Sequence, residues 1–78
     1  MNVFVDTNVV LDVFLERHPF YDDSFMIFQL VDLERIKGYV SAAECGVDCI
    51  VTRNAADYKM PGVPCMSPAD FIAYFNAM

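Results

Sequence analysis

Polar side chains follow two short, largely apolar runs of this 78-residue sequence. They are Asp6, Thr7 and Asn8 after the apolar residues 3–5, and Arg53, Asn54 and Asp57 after the run 47–52. Carboxylate and amide oxygens are the ligands that Mg²⁺ and Mn²⁺ prefer in proteins. A divalent ion bound there can activate water, so these residue types point to metal-assisted hydrolysis.

The elements that would carry the first group are a buried strand and then a helix. Three consecutive apolar residues after Asn2 suit a strand buried on both faces. A helix from Asn8 to about Glu16 follows, and the side-chain oxygens of Asp6, Thr7 or Asn8 can cap its first amides. Asp6 is thereby expected at the carboxyl end of a strand, where open α/β sheets bind ligands.

The rest of the chain continues this alternation of helix and strand. The sequence predicts a helix from Pro19 to about Ile36, ended by Lys37-Gly38, a strand at 38–41, a helix stub at 42–46, strands at 47–52 and 63–66, and a helix capped by Ser67 with Pro68 next. The carboxyl ends of parallel strands share one edge of a sheet. The two polar groups are therefore expected side by side.

Composition bounds the size and the charge of the molecule. A chain of 78 residues forms one small domain. Its net charge of −6 argues against nonspecific electrostatic binding to nucleic acid. Phosphate chemistry would therefore need a bound metal ion. The chain is 56% hydrophobic, and its second helix is apolar around most of its circumference. We expect part of this surface to meet another chain, which predicts a homo-oligomer.

Cysteine content and hydropathy bear on the compartment. Cys45, Cys49 and Cys65 are odd in number and lack metal-ligand spacing, so they suggest neither a disulfide framework nor a zinc site. No stretch is apolar for long enough to cross a bilayer, and no basic segment precedes the first apolar residues. The sequence therefore predicts a cytoplasmic protein with no membrane partner.

Two segments give this chain a resemblance to a known family. The first, FVDTNVVLDVFLERHPFYDDS, and the last, CIVTRNAADYKMPGVPCMSPADFIAYF, resemble the two ends of a PIN domain. Similar PIN domains pair an initial strand ending in Asp-Thr-Asn with a late strand ending in Thr-Arg-Asn-x-x-Asp-Phe or Tyr. Both motifs are present here in that order.

The resemblance implies a fold, an activity and a set of site residues. The fold would be a small three-layer α/β/α domain with a mainly parallel sheet, spanning residues 1–78. The activity would be that of a toxin-like ribonuclease, with RNA as substrate, Mg²⁺ or Mn²⁺ as cofactor and an antitoxin protein as partner. Carried over residue by residue, the catalytic acids would be Asp6 and Asp57, the metal ligands Asp6, Asn54 and Asp57, and the supporting residues Thr7, Asn8 and Arg53.

The centre of the chain departs from the family pattern. PIN domains carry further helices and further acidic residues between these two ends, whereas here the strand at 38–41 leads almost directly to the late strand. We interpret this as an internal deletion, which predicts a ribonuclease of impaired activity. The alternative is an inactive remnant that serves as an oligomerising or partner-binding module, with elements exchanged between subunits.

Several polar residues stay open between a functional and a structural role. Asp12 is either an exposed helix residue or part of a polar network around Asp6. Arg53 either reaches a phosphate or is simply solvated. Glu44 and Asp48 are expected as surface acids.

Two other kinds of catalytic site are disfavoured. A phosphatase of the haloacid dehalogenase type needs a second acid at the position of Asn8. His18 has no nucleophile and acid at a meaningful spacing, so it is expected as a loop residue.

Overall fold

Strands and helices alternate along the chain in the computed structural model, which describes residues 1–40, 46–54 and 62–78. The elements are β1 (Asn2–Val5), α1 (Thr7–Phe14), α2 (Tyr21–Asp32), β2 (Lys37–Tyr39), β3 (Cys49–Val51), β4 (Cys65–Met66) and α3 (Pro68–Asn76). The strands form one sheet in the order β2-β1-β3-β4. Every pairing is parallel, which confirms the predicted α/β class with a parallel sheet.

The two central strands, β1 and β3, fix the register of the sheet. Val3 pairs with Cys49, and Val5 pairs with Val51. All four side chains are buried. Short, almost wholly apolar strands of this kind are typical of parallel sheets, because such sheets are covered on both faces.

The hydrophobic core lies against one face of this sheet, and all three helices contribute to it. Its buried members are Val3, Val5, Val9, Ile27, Ile36, Cys49, Val51 and Phe71. Phe4 and Ile50 belong to the opposite face, because side chains alternate along a strand, and they are buried as well. All three described helices therefore pack on this core.

The first two helices end earlier than the sequence predicts. Helix α1 ends at Phe14 and α2 at Asp32, where the sequence predicts Glu16 and about Ile36. Each helix is followed by Leu-Glu-Arg, and the glutamate adopts a positive φ of 48° at Glu16 and 58° at Glu34. This left-handed backbone conformation stops both helices.

The hydrogen bonds at these two helix ends are those of a Schellman motif. The Arg17 N–H donates to the Asp12 carbonyl at 2.9 Å, and the Arg35 N–H donates to the Leu30 carbonyl at 2.9 Å. Glycine normally occupies the left-handed position of this motif, because it has no Cβ. A glutamate there leaves the sequence without its usual stop signal.

Strand limits also differ from the prediction. Lys37 and Gly38 belong to β2, so their predicted role as the end of the second helix is wrong. The strands predicted at 47–52 and 63–66 shorten to Cys49–Val51 and Cys65–Met66. The helix stub predicted at 42–46 lies outside the described residues except for Gly46.

The last helix and the first helix differ in how their amino ends are capped. The Ser67 hydroxyl accepts a hydrogen bond from the Asp70 N–H at 3.1 Å, which confirms Ser67 as the N-cap of α3. At α1, Asp6 occupies the N-cap position, but no side chain caps the helix. The predicted capping by Asp6, Thr7 or Asn8 is therefore wrong, and the Asp6 carboxylate is available to another partner.

The described cysteines behave as core residues. Cys49 is buried in the core and Cys65 is half-buried, whereas Cys45 lies outside the described residues. Burial raises the pKa of the Cys49 thiol from 9.0 to about 11, and the neighbouring Asp48 carboxylate adds to the rise. Cys49 is thus a neutral, weakly nucleophilic side chain at physiological pH.

Large apolar side chains remain exposed on the described surface. Phe14 is 77% exposed, Leu15 58% and Leu33 67%. Phe25 and Met26 of α2 are exposed as well, in agreement with the predicted apolar circumference of that helix. None of the helices in the described ranges has the length and apolarity needed to cross a membrane.

Candidate functional site

The centre of the sheet is a topological switch point. The chain runs from β1 outward to β2, then returns to the other side of β1 as β3. Ligands of open α/β sheets bind at the carboxyl ends of the two strands that flank such a point. Asp6 lies at the end of β1, and its N–H donates to the Val51 carbonyl of β3 at 3.0 Å.

A buried threonine connects the two strand ends. The Thr52 hydroxyl donates to Oδ2 of Asp6 at 2.7 Å and accepts from the Asn54 N–H at 3.0 Å. The Thr52 side chain is fully buried, and its own N–H donates to the Met66 carbonyl at 2.9 Å. One hydroxyl therefore joins the first predicted ligand, Asp6, to the backbone of the second, Asn54.

The supporting residues predicted beside Asp6 have different surroundings. Thr7 is exposed in the first turn of α1. Asn8 is half-buried, and its Oδ1 atom is buried with no hydrogen-bond partner among the described residues. This amide oxygen is an unused acceptor, two residues after Asp6 in the sequence. Asp57, the second predicted catalytic acid, lies outside the described residues.

An internal ion pair lies next to this group. Asp12 is fully buried in α1, so its interpretation as an exposed helix residue is wrong. The Arg53 guanidinium donates to it twice, from Nε to Oδ2 at 2.7 Å and from Nη2 to Oδ1 at 3.2 Å. Arg53 is thus neither solvated freely nor available as a whole to a phosphate, which were its two predicted roles. Its place after Thr52 links the ion pair to the Asp6 group through the chain.

Two more side chains hold this ion pair in place. The Arg53 guanidinium carbon lies 4.2 Å from the centre of the Phe20 ring, within the range of a cation–π contact. Nη1 of Arg17 lies 3.9 Å from Oδ1 of Asp12, at the outer limit of an ion pair. Arg53 is consequently fixed on two sides, by a carboxylate at its edge and by an aromatic ring at its face.

The oxygen donors at the strand ends suit a hard divalent cation in kind. Asp6 supplies a carboxylate, and Asn8 supplies the unpartnered amide oxygen. Mg²⁺ is commonly held by one or two carboxylates, with water and substrate phosphate completing its shell. Within residues 1–40, 46–54 and 62–78, no three histidine, cysteine, aspartate or glutamate side chains cluster closely enough to hold a metal ion. Asp6 is the carboxylate at the end of β1, and a metal centre between β1 and β3 would depend on it.

Sequence reasoning missed Thr52 and Phe20. Thr52 stands at the end of a β-branched run and looks like its last strand residue, although a hydroxyl at a carboxyl strand end is itself a polar signal. Phe20 follows a proline and looks like part of a helix. The burial of Asp12 had no local signal, because its partner lies 41 residues away.

Comparison with known proteins covers the amino-terminal part of this edge, whereas Thr52, Arg53 and Asn54 lie outside the matched residues. A family model described as a PIN domain matches residues 2–45, which is more than half of the chain. The match contains β1, α1, α2 and β2, and with them Asp6 and Asp12. Neither the curated proteins nor the solved structures yield a match.

The Thr52 hydroxyl is expected to control cation binding at Asp6. Thr52→Val keeps the shape of the side chain but leaves the Asp6 oxygen and the Asn54 N–H without their partner. Loss of a group that orients a metal ligand typically weakens metal binding roughly 10- to 100-fold. A titration with Mn²⁺, followed by paramagnetic broadening of amide resonances, measures this. Thr52→Ser retains the hydroxyl and should bind Mn²⁺ like the parent chain; equal affinity in Thr52→Val would contradict the assignment.

Loss of one partner of the ion pair between Asp12 and Arg53 is expected to lower the free energy of unfolding strongly. Arg53→Met removes the near partner of the buried Asp12 carboxylate and leaves it only Arg17, at 3.9 Å; removing one partner of a buried ion pair typically costs about 3–5 kcal/mol of the free energy of unfolding. The double variant Asp12→Leu/Arg53→Met removes both charges and should recover most of that loss.

Urea unfolding measures these changes, and Arg35→Met is the matched control. Arg35 also lies over a phenylalanine, at 5.4 Å from the centre of the Phe75 ring, but no buried acid among the described residues pairs with it. Its loss should be small, as is typical of exposed cation–π contacts. Similar losses in Arg53→Met and Arg35→Met would show that the carboxylate pair contributes little.

Proposed function

Because this chain belongs to the PIN domain family, whose members are generally nucleases, we propose that it is a divalent-metal-dependent ribonuclease of low activity. Its centre is the carboxyl edge between β1 and β3. The observation that carries the proposal is the Thr52 hydroxyl, which holds Oδ2 of Asp6 at 2.7 Å and the Asn54 N–H at 3.0 Å.

The proposal assigns a role to each residue at this edge. Asp6 is the principal metal ligand, and Asn54 and Asp57 complete the set. Asn8 contributes its buried amide oxygen, and Thr7 lies beside it in the exposed first turn of α1. When bound, Mg²⁺ or Mn²⁺ would supply an activated water and neutralise charge on the phosphate. Asp6 and Asp57 are the acids on which this chemistry depends.

The charge of the chain supports a requirement for metal. The net charge is −6, and Arg53, the cation next to the site, is already paired with Asp12. RNA phosphates would therefore meet little positive charge from the protein itself, and a bound divalent ion is the remaining source of attraction. The low activity follows from the short central segment, which omits acids that the family pattern contains. A toxin role and an antitoxin partner belong to the same proposal.

The cleavage test compares two aspartates at opposite ends of the sheet. Asp6→Asn should abolish Mn²⁺-dependent cleavage of RNA, because the amide carries no charge and binds the ion weakly. Asp48→Asn should cleave like the parent chain, since Asp48 is exposed at the amino end of β3 and accepts a hydrogen bond from the Asn2 N–H. Gel analysis of a labelled RNA with Mn²⁺ and with chelator measures both. Cleavage that survives Asp6→Asn, or that persists in chelator, would contradict the proposal.

We further infer that the chain associates with a second copy of itself, in line with the alternative role as an oligomerising module. Phe14, the most exposed of the large apolar side chains in the described residues, is followed by Leu15, which is 58% exposed. A chain of this size buries a limited share of its surface, and this one is 56% hydrophobic. Covering the end of α1 would therefore remove from water the most exposed large apolar side chain of the described surface.

Sedimentation velocity at micromolar concentration tests this association. The parent chain should sediment as a dimer or larger species, and Phe14→Ser/Leu15→Ser should shift it toward the monomer. Tyr74→Ser, an exposed aromatic of α3, is the control and should leave the dimer intact. Added salt should strengthen the dimer, because each copy carries a charge of −6. A monomeric parent chain would refute the association.

A further inference from the structure

A second concave site lies at the same edge of the sheet as Asp6, between the first turn of α3 and the start of α2. It has a volume of about 250 Å³ and is lined by Phe20, Asp23, Arg53, Ser67, Pro68 and Ala69, which together we term the Arg53 pocket. None of the residues assigned to the metal centre lines it except Arg53, a supporting residue. The pocket and the Asp6 carboxylate are neighbours because Arg53 follows Thr52 directly.

Arg53 brings a fixed set of donors to this pocket. A guanidinium has five N–H groups, and Asp12 accepts from two of them. No described residue accepts from the remaining three. Because the carboxylate of Asp12 and the ring of Phe20 hold the guanidinium in one orientation, these N–H groups are organised before any ligand arrives.

Asp23 supplies the acceptor of the pocket. It is half-buried in the first turn of α2, and no described residue donates to its carboxylate. Since Asp12 already neutralises Arg53, the charge of Asp23 leaves the pocket negative overall. An inorganic phosphate is therefore a poor occupant, and a neutral ligand with both donors and acceptors is a good one.

The walls of the pocket include apolar surface. The Phe20 ring and the Pro68 ring are apolar surfaces, and Ala69 adds no bulk. Pockets for drug-sized ligands start at roughly 300 Å³, so a volume of about 250 Å³ suits a single planar base. Among the four RNA bases, guanine presents two adjacent donors, N1–H and the N2 amino group, which match the two oxygens of one carboxylate. Its O6 and N7 atoms are acceptors that suit arginine.

We propose that the Arg53 pocket binds a guanine base, with Asp23 accepting from N1–H and N2–H and Arg53 donating to O6. The inference deepens the proposed ribonuclease function, on which it rests for its substrate, by making guanine-containing RNA the preferred class. Bound there, the base would place its phosphate near the carboxyl edge that holds Asp6. Specificity would then come from the pocket, while the metal centre acts on the backbone.

Nucleosides without phosphate and without metal test the pocket alone. Guanosine, adenosine, cytidine and uridine are titrated into the chain, and amide chemical shifts give the affinities. Guanosine should bind roughly tenfold more tightly than the other three, the discrimination typical of a bidentate base contact. Asp23→Asn should remove that preference. Asp22→Asn is the matched control, because Asp22 is the exposed neighbour on the same helical turn, and it should bind guanosine like the parent chain.

The outcomes test the guanine pocket independently of the proposed nuclease activity. Equal binding of the four nucleosides, no binding of any, or equal effects of Asp22→Asn and Asp23→Asn would overturn the guanine pocket, even if the chain cleaves RNA. Guanosine binding that depends on Asp23 would support the pocket, even if Asp6→Asn shows that no metal-dependent cleavage occurs. Near-identical circular dichroism of the two variants shows that a lost preference is not a loss of fold.

Discussion

The hydrogen bond from the Thr52 hydroxyl to Asp6 is the contact on which the carboxyl edge of this molecule depends. It joins residues 46 positions apart, and it forms because β1 and β3 pair in parallel at the centre of the sheet. Backbone bonds fix both partners: the Asp6 N–H donates to Val51, and the Thr52 N–H donates to Met66. The carboxylate is therefore oriented by the sheet itself rather than by the helix that follows it. This explains why Asp6 occupies an N-cap position without capping α1.

The ion pair of Asp12 and Arg53 is the second connection across the same two segments. It couples α1 to the chain after β3, and its burial makes the loss of one partner more costly than the loss of both. It also removes a positive charge from the edge where phosphate would approach. The structural role of Arg53 and the proposed need for a divalent cation are thus two consequences of one contact.

The sheet and its polar edge could be predicted from the sequence, because both depend on local signals. An apolar run that ends in Asp6 and a second that ends before Arg53 are enough to place two strand ends side by side. The ends of α1 and α2 could not be predicted, since Glu16 and Glu34 take a conformation that usually identifies glycine. The partner of Asp12 could not be predicted either, because an ion pair over 41 residues leaves no periodicity to detect.

The short centre of the chain is compatible with this edge for a geometric reason. Asp6 and Thr52 belong to neighbouring strands, whereas the connection that is short joins β2 to β3 across β1. That connection must cross two strand spacings of roughly 4.8 Å each and return along strands only three residues long. Nine residues, 40–48, can span up to roughly 30 Å when fully extended, which exceeds the length of this path. A loss of residues between β2 and β3 would therefore leave intact the strand pairing that brings Asp6 to Thr52.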